Sequence, residues 1–390
     1  MRTIGIIAEY NPFHNGHAYH VKEAMRQTGS RFCIAAMSGS FVQRGEPAFF
    51  DKFLRARLAL ESGISLVLEL PTVFVLSSAE QFACGGVKLL SGFIDTLAFG
   101  TEAADMAELT AAGCCDGNIK EALHEGLSCG KSYPRAMGDA LLKMGMDKSM
   151  LSRPNNILAV EYIKAVKRFS PSMDVLAIDR IGSGHDSVSP VDDIASASFI
   201  RQLILREGAS AASPYLPYDM NGLNVKPWNS QSLLLLLKYR LLMQDGKPLF
   251  DMGEVSEGFE NVLMREIRSA ESYEDFLTSI KTKRFTLARL RRMCMCVLLG
   301  IDKELQSSAY AFDKPPYLRV LGVRRDTLEL LLRLKNSGIP IITSRADVKK
   351  ITDETAKKLW ALDEYAYMLR NMLCGGACGG DEFARKFLIV

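Results

Sequence analysis

Two histidines lie three residues apart in the segment YNPFHNGH (residues 10–17), close to the start of the chain. On the first turn of a helix, His14 and His17 can face one ligand, and imidazoles donate hydrogen bonds to phosphate oxygens. Gly16 lies between them and lets the backbone approach a phosphate closely. In isolation such a pair is more often a helix cap beside a buried histidine, so the neighbouring elements decide between the two interpretations.

A second polar segment, IASASFIR (residues 194–201), can bind the same kind of ligand. Ser196, Ser198 and the N-terminus of a helix beginning there can hold phosphate oxygens, and Arg201 adds a fixed positive charge. Alone, the pattern is equally typical of a serine-rich helix cap with a solvated arginine. The two segments occur on opposite sides of a series of strands and helices, and this order favours a phosphate site.

Other cationic residues have two possible roles each. Arg44 and Lys52 follow the second predicted strand and either bind phosphate or belong to a solvated loop. Between residues 281 and 292, six of twelve positions are Lys or Arg and none is acidic. This run either binds a nucleic-acid backbone through counterion release or forms a solvated helix face. Its basic residues are Lys281, Lys283, Arg284, Arg289, Arg291 and Arg292.

The hydrophobic pattern predicts the elements that position these side chains. In the first two hundred residues, short apolar β-branched runs alternate with stretches of helical period, which predicts an α/β fold with a mainly parallel sheet. Ligands bind at the carboxyl edge of such a sheet, where strand ends meet helix N-termini. The predicted strands are residues 3–8, 32–37, 65–70, 95–99 and 174–178, and the predicted crossover helices are residues 18–27, 52–62 and 79–90.

The second half of the chain has a mainly helical pattern. Residues 208–229 are rich in Gly, Pro, Ser and Asn, which is typical of a linker. We therefore expect a first domain at residues 1–207, with a helical insertion at about 103–170, and a second domain at 230–390. In the second domain, helices are predicted at residues 230–244, 257–270, 273–280, 286–299 and 354–373, and strands at 317–323 and 339–344.

Composition excludes several classes of protein. With 48% hydrophobic and 24% charged residues, the 390-residue chain is neither disordered nor fibrous. Its net charge of +3 gives no overall attraction to polyanions, so such a site must be local. The apolar run at the N-terminus is too short for a signal sequence or a membrane span, so we expect a cytoplasmic protein. The nine cysteines are expected to be reduced, and Cys374 and Cys378 lack the further ligands that a zinc site needs.

The two polar segments resemble the HxGH and ISSTxIR signatures of the nucleotidyltransferase superfamily, whose HxGH motif is related to the HIGH motif of class I aminoacyl-tRNA synthetases. The resemblance narrows to the bacterial tRNA(Met) cytidine acetate ligases and covers nearly the whole chain. The segments that carry it are EYNPFHNGH, MSGSFVQRGEPA, LVLELP, AFGTE, SYPRA, RPNNILAVEYIKA, DRIGSGHD, IASASFIR and KTKRFTLARLRRMCMCVLLG. It implies a Rossmann-like nucleotidyltransferase domain followed by a mainly helical, tRNA-binding domain.

Enzymes of this family form acetyl-adenylate from ATP and acetate and pass the acetyl group to the exocyclic amine of the wobble cytidine in elongator tRNA(Met). The resemblance therefore implies ATP, Mg²⁺, acetate and this tRNA as ligands, with the basic run 281–292 on the tRNA. His14, His17 and Arg201 would be catalytic. The implied ATP contacts are Ile7, Ala8, Glu9, Tyr10, Asn11, Pro12, Phe13, Asn15, Gly16, His20, Gly100, Asn155 or Asn156, Arg180, Ser196 and Ser198.

Two alternatives remain open from the sequence. One is a generic adenylyltransferase that joins AMP to a small phosphorylated metabolite, although such enzymes on this fold are much shorter. The other is a catalytically silent RNA-binding protein on the same fold, because fold alone does not fix function. The intact HNGH and IASASFIR segments favour an enzyme, and the added helical half favours a large second substrate.

Overall fold

The computed structural model describes residues 2–102, 106–114, 118–131, 133–143, 153–180, 192–220, 222–223, 225–243, 248–256, 258–376, 382–384 and 387–390. Cys378 and most of the DRIGSGHD segment lie outside these residues. Among the described helices, none combines the length and the apolar character that crossing a bilayer would require.

The main sheet is mostly parallel, as predicted. The described strands are β1 (Thr3–Ala8), β2 (Phe32–Ser38), β3 (Phe41–Val42), β4 (Glu46–Pro47), β5 (Leu66–Leu70), β6 (Thr96–Thr101), β7 (Asp174–Asp179), β8 (Leu318–Val323), β9 (Ile341–Ile342) and β10 (Leu388–Ile389). In the described residues the strand order of the sheet is β10-β8-β5-β2-β1-β6-β7, with β9 pairing β8 and a separate β3-β4 hairpin. Strand β8 runs antiparallel to β5, whereas the pairs that join β5, β2, β1, β6 and β7 are parallel.

Helices cover both faces of this sheet, so the central strands β2 and β5 are buried along their whole length. The first-half helices are α1 (Asn15–Thr28), α2 (Lys52–Glu61), α3 (Thr72–Val75), α4 (Ala79–Leu90), α5 (Met106–Cys114), α6 (Asn118–Ser128), α7 (Tyr133–Lys143), α8 (Pro154–Phe169) and α9 (Ala197–Glu207). The later helices are α10 (Ser230–Met243), α11 (Phe259–Glu266), α12 (Tyr273–Ser279), α13 (Leu287–Leu299), α14 (Lys303–Ala311), α15 (Glu329–Lys335) and α16 (Glu354–Leu373).

The predicted elements of the first half are confirmed with small changes at their ends. Strand β1 and helix α4 have the predicted bounds, and α1 begins three residues earlier than predicted because His14 caps it. The helix ends at Gly29, which adopts a left-handed conformation with φ of 62° that glycine tolerates well. The described parts of residues 103–170 contain the helices α5 to α8, and the assignment of this stretch as an insertion stays a prediction.

The second half contributes strands to the sheet of the first half. Strand β8 pairs with β5, and β9 and β10 pair with β8, so residues from both halves form one continuous sheet. The hydrophobic core is also shared, since Leu68 of β5, Phe82 of α4, Met293 of α13 and Leu359 of α16 belong to one buried cluster. The domain boundary at residues 208–229 remains a prediction, and strands from both sides of it belong to the same sheet.

Candidate functional site

A cavity of about 280 Å³ opens at the carboxyl ends of β1, β6 and β7, where the parallel sheet predicts a ligand site. Glu9 and Tyr10 follow β1, Gly100 lies in β6, and Arg180 follows β7. Most predicted site residues line this one cavity. They are Ile7, Ala8, Glu9, Tyr10, Asn11, His14, Gly16, His17, His20, Gly100, Asn155, Arg180, Ser196, Ser198 and Arg201.

The two histidines of the HNGH segment stack on each other at the first turn of α1. Their ring centroids are 3.8 Å apart, with 32° between the ring planes. His14 Nδ1 accepts a hydrogen bond from Gly16 N at 3.1 Å, and His17 Nδ1 accepts one from His14 N at 3.3 Å. A neutral imidazole that accepts a hydrogen bond at Nδ1 carries its proton on Nε2. This is the tautomer that donates a hydrogen bond to a phosphate oxygen.

Gly16 allows this stacked arrangement. A Cβ atom at residue 16 would lie 3.0 Å from His14 Cε1 and 3.1 Å from His14 Nδ1, which is tighter than ordinary van der Waals contact. The glycine therefore leaves room for the His14 ring over the helix N-terminus. This contact is a second reason for glycine here, beside the close approach to phosphate that the sequence suggested.

Burial disfavours the charged forms of His17 and His20. The pKa of His17 lies well below its usual value, first because the ring is desolvated and then because His14, Arg180 and His20 add positive charge. Burial also lowers the pKa of His20 to about 4, partly offset by a hydrogen bond with the Phe99 backbone. Among the described residues, His20 Nε2 has no hydrogen-bond partner. Neutral imidazoles donate to an anion without bringing buried charge of their own.

The low pKa of His20 predicts a loss of stability in mild acid. As pH falls from 6.5 toward 4, the unfolded chain binds a proton at this residue and the folded protein does not, so the free energy of unfolding decreases. Urea unfolding of the wild type and of His20→Gln at pH 7.0 and pH 5.0 measures this. We expect the drop between the two pH values to be smaller in the variant. An equal decrease in the free energy of unfolding of both proteins would contradict a lowered pKa of His20 in the folded state.

Arg201 links the second motif to the first. It lies in α9, and its Nη1 donates a 2.7 Å hydrogen bond to the backbone oxygen of Asn11. Ser196 caps the same helix, its Oγ accepting a hydrogen bond from Phe199 N at 3.2 Å. The serine is therefore a helix cap that also faces the cavity, together with the positive end of the helix dipole. Residues of both polar segments therefore line one cavity.

A buried arginine that the sequence did not single out supports the loop after β1. Arg55 of α2 donates hydrogen bonds to the backbone oxygens of Glu9 and Gly39, the first at 2.5 Å. Burial lowers the pKa of Arg55 to about 10. The Glu9 carboxylate accepts a 2.6 Å hydrogen bond from Gln43 N, and burial raises its pKa. Only the fold reveals these contacts, because an arginine in a helical pattern looks like a surface residue.

Three predicted ATP contacts near the histidines do not line the cavity. Phe13 is fully buried and packs against Tyr10, with ring centroids 4.7 Å apart. Asn15 Nδ2 donates hydrogen bonds to the backbone oxygens of Asp193 and Pro214, at 2.9 and 3.0 Å. Pro12 is also buried. These residues shape the loop rather than the cavity wall.

The structure separates the two asparagines of the PNN segment. Asn155 lines the cavity, and its Nδ2 donates a 2.6 Å hydrogen bond to Glu102 Oε1. Asn156 is buried and its Oδ1 accepts a hydrogen bond from Glu102 N at 2.9 Å. Asn155 is therefore the candidate for a nucleotide contact, and Asn156 holds the backbone that follows β6.

Lys52 does not reach the cavity, so the interpretation of it as a phosphate ligand is wrong. Its Nζ is fully buried, 2.8 Å from both carboxylate oxygens of Glu69 and 2.6 Å from Glu382 Oε2. Glu382 also pairs with Arg319 at 3.0 Å. Two carboxylates and two cations thus balance one another inside the protein, and the C-terminal segment supplies one of them.

Loss of Lys52 is expected to destabilise the fold strongly. Lys52→Ala leaves Glu69 and Glu382 close together with one compensating charge fewer, and breaking a buried pair in this way costs about 3–5 kcal/mol of unfolding free energy. The measurement is the urea unfolding curve at pH 7. Lys357→Ala, which removes an exposed ion pair with Glu354, is the control and should cost less than about 1 kcal/mol. Equal losses of unfolding free energy in the two variants would show that the buried ion pairs stabilise the fold no more than the exposed one.

The basic run at residues 281–292 divides into two parts. Lys281, Lys283 and Arg284 are exposed. The other three pair with carboxylates: Arg289 and Arg292 lie 3.3 and 3.4 Å from Glu254, and Arg291 pairs with Glu46 of the β3-β4 hairpin. Arg291 and Arg292 hold α13 against the loop that carries Arg44, because Arg291 pairs with Glu46 and Arg292 Nη1 donates a 3.3 Å hydrogen bond to Gln43 O. The exposed trio remains available for a polyanion.

Within the described residues, no group of three or more His, Cys, Asp and Glu side chains is placed to hold a metal ion. Three carboxylates, those of Glu9, Glu46 and Asp179, line the cavity at separate points. Cys374 is a half-buried free thiol.

Comparison with known proteins agrees with this geometry. The model of the HIGH Nucleotidyl Transferase family matches residues 1–375. The tRNA(Met) cytidine acetate ligase of Caldanaerobacter subterraneus subsp. tengcongensis is 37% identical, covering 95% of this chain and 96% of the relative. That of Acetivibrio thermocellus is 32% identical with full coverage of both chains.

Two solved structures have the same fold over the whole length of both chains. The apo crystal structure of Thermotoga maritima TmcAL has a TM-score of 0.91, and the structure of that protein bound with alpha-thio ATP has a TM-score of 0.88, each at 31% sequence identity. A family model over nearly the full length, and relatives of 32% and 37% identity over nearly their whole length, leave no ambiguity about kinship. The chain belongs to the HIGH nucleotidyl transferase family and, within it, to the tRNA(Met) cytidine acetate ligases.

Proposed function

We propose that this protein is an ATP-dependent ligase that activates acetate as acetyl-adenylate and transfers the acetyl group to the wobble cytidine of elongator tRNA(Met). One observation carries the chemistry: the stacked His14 and His17, Arg201 and the N-terminus of α9 all face one cavity at the carboxyl edge of the sheet. The kinship with tRNA(Met) cytidine acetate ligases supports the substrates.

In the first step, acetate attacks the α-phosphorus of ATP. A carboxylate oxygen forms the new P–O bond, and the bond to the β-phosphate bridge breaks, so pyrophosphate leaves with the electron pair. Acetate is ionised at neutral pH, because carboxylic acids have pKa values of about 4, and it needs no general base. The site must therefore position the reactants and stabilise the extra negative charge, which Nε2 donors of His14 and His17 and the guanidinium of Arg201 do.

In the second step, the exocyclic nitrogen of cytidine attacks the acetyl carbon. The bond from that carbon to the phosphate oxygen breaks, AMP leaves with the electrons, and the nitrogen releases one proton to solvent. This amine is a weak nucleophile because its lone pair is delocalised into the ring, so the acetyl group must first become a mixed anhydride. The recessed position of the cavity protects this anhydride from water.

Magnesium belongs to this proposal as a companion of the triphosphate. Since the described residues offer no three-ligand metal site, the ion would be held mainly by phosphate oxygens, with a cavity carboxylate such as Glu9 or Asp179 as a further ligand. It would supply positive charge beside the phosphates. We also propose a cytoplasmic location, where ATP and tRNA are present.

The tRNA backbone is proposed to contact the exposed part of the basic run. Lys281, Lys283 and Arg284 are exposed just before α13, and α13 packs against the hairpin at the cavity mouth. Each phosphate contact releases counterions, so binding should weaken as salt increases. Arg289, Arg291 and Arg292 were predicted to share this role, but their ion pairs favour a structural one.

The proposal is tested by two assays on the full chain. Acetate-dependent exchange of labelled pyrophosphate into ATP reports the first step, and formation of N4-acetylcytidine in transcribed elongator tRNA(Met) reports both. We expect both activities. Exchange with acetate but no RNA product would refute the tRNA assignment, exchange only with a phosphorylated metabolite would favour a generic adenylyltransferase, and no exchange would favour a silent RNA-binding protein.

A further inference from the structure

A second cavity adjoins the first. Its volume is about 470 Å³, and Asn11, Arg44, Glu46, Ser198 and Arg201 line both cavities. Residues of the shared wall include Arg201, which the proposed function places beside the reacting phosphate. The far wall of the second cavity contains an aromatic side chain, Trp228, from the segment predicted to be a linker.

We propose that the second cavity binds the acceptor nucleotide, with the cytosine ring stacked on Trp228. This inference rests on the proposed function. The acceptor nitrogen must come within bonding distance of the acetyl carbon, which is attached to the α-phosphate. The cytosine base must therefore occupy a space that lies beside the bound phosphates but outside the ATP cavity. The second cavity is such a space, because Arg201 and Ser198 line both cavities.

Trp228 is held as a firm platform. It is half-buried and packs partly against the main hydrophobic cluster. The backbone and the side chain of the next residue are both hydrogen-bonded: Asn229 N donates to Leu373 O at 2.8 Å, and Asn229 Oδ1 accepts from Ser232 N at 2.7 Å. Proteins that read unpaired RNA commonly stack single bases on aromatic side chains in this way. Leu205, which is 57% exposed, adds an apolar rim to the same cavity.

The charges of the second cavity suit a nucleotide. Among its described lining residues, Arg44, Arg201 and Arg291 are cations, and Glu46 is the carboxylate. The excess of positive charge favours the phosphates on either side of the base. A carboxylate accepts a hydrogen bond from the exocyclic amine of cytosine, which the other pyrimidine, uracil, cannot donate. Glu46 lies on the shared wall, where its carboxylate pairs with Arg291, and its remaining acceptor lone pairs would orient the reacting nitrogen.

Tryptophan fluorescence provides a direct test, because the chain contains only Trp228 and Trp360, and Trp360 is buried in the core. The probe is a synthetic anticodon stem-loop RNA of elongator tRNA(Met) with cytidine at the wobble position. We expect it to quench the emission of the wild type. The same RNA with an abasic wobble position should bind without this quenching, and Trp228→Phe should lose the cytidine-dependent signal. Equal quenching by both RNAs, or none by either, would overturn the proposal.

Kinetics of the two half-reactions provide the second test. In Trp228→Ala, the ratio of kcat/KM for tRNA acetylation to the rate of pyrophosphate exchange should fall about 10-fold or more, the usual scale for losing one stacked base. Trp228→Phe should recover most of that loss. Tyr365→Ala, which removes an exposed aromatic ring from α16, is the matched control and should leave the ratio unchanged. An unchanged ratio in Trp228→Ala would refute the platform, while absent exchange in the wild type would refute the proposed function itself.

Discussion

Replacement of His17 by alanine is expected to slow acetate-dependent pyrophosphate exchange by about 100-fold or more, the usual scale for losing one donor that stabilises developing charge. The neutral His17 ring lies at the first turn of α1 and faces the cavity with its Nε2 proton available for a phosphate oxygen. The measurement is kcat for exchange at saturating ATP and acetate, with KM determined in parallel.

Two further variants separate catalysis from helix capping. His17 Nδ1 also accepts a hydrogen bond from His14 N, and glutamine at this helix position can keep such a bond. His17→Gln should therefore unfold at the wild-type urea concentration and still lose most of the exchange rate. His124→Ala, at an exposed histidine of α6, should leave the rate unchanged. If His17→Ala kept the wild-type rate, the ring would have no part in the chemistry.

Arg201→Ala is expected to reduce the exchange rate to a similar degree, by about 100-fold or more. Arg201 and Arg44 are cations on the wall that both cavities share, and the hydrogen bond from Arg201 to Asn11 O also positions the loop beside the histidines. Because the alanine variant loses the charge and the loop contact together, kcat should fall and KM for ATP should rise. Exchange kinetics over a range of ATP concentrations would separate the two effects.

Substitutions on the same helix test whether the charge alone suffices. Arg201→Lys keeps a cation but loses the planar fork of donors, so we expect a rate between those of the alanine variant and the wild type. Arg206→Ala removes an exposed arginine one turn further along α9 and should change the rate less than about 2-fold. Comparable losses in Arg206→Ala and Arg201→Ala would indicate damage to the helix rather than to the site.

The sequence predicts the sheet well and brings most of the candidate site residues to one cavity, because both depend on local signals. Strand β1 is a continuous apolar run, α4 has a clear helical period, and the HNGH segment lies between a strand and a helix, so each pattern indicates its own structure. The carboxyl edge of a parallel sheet then brings His14 and Arg201 together, although they are far apart in the chain.

Pairing of charged side chains could not be predicted in the same way. Lys52 and Arg291 look like surface cations in the sequence, yet their partners, Glu382 and Glu46, come from distant parts of the chain. The sequence also gives no sign that Arg55 donates hydrogen bonds to backbone oxygens beneath the site. Such contacts depend on which helix lies over which strand, and the hydrophobic period of a helix does not specify that.

The antiparallel pairing of β8 with β5 has a consequence for how the protein is made. At about 5–20 residues per second, a ribosome needs about 10–50 s to extend the nascent chain from Leu70 to Leu318. During that interval the growing polypeptide exposes an unpaired strand edge that is apolar except for Glu69, which is a hazard for aggregation. The same edge would be bare in any recombinant fragment ending near residue 207, so expression of residues 1–207 alone should yield insoluble material.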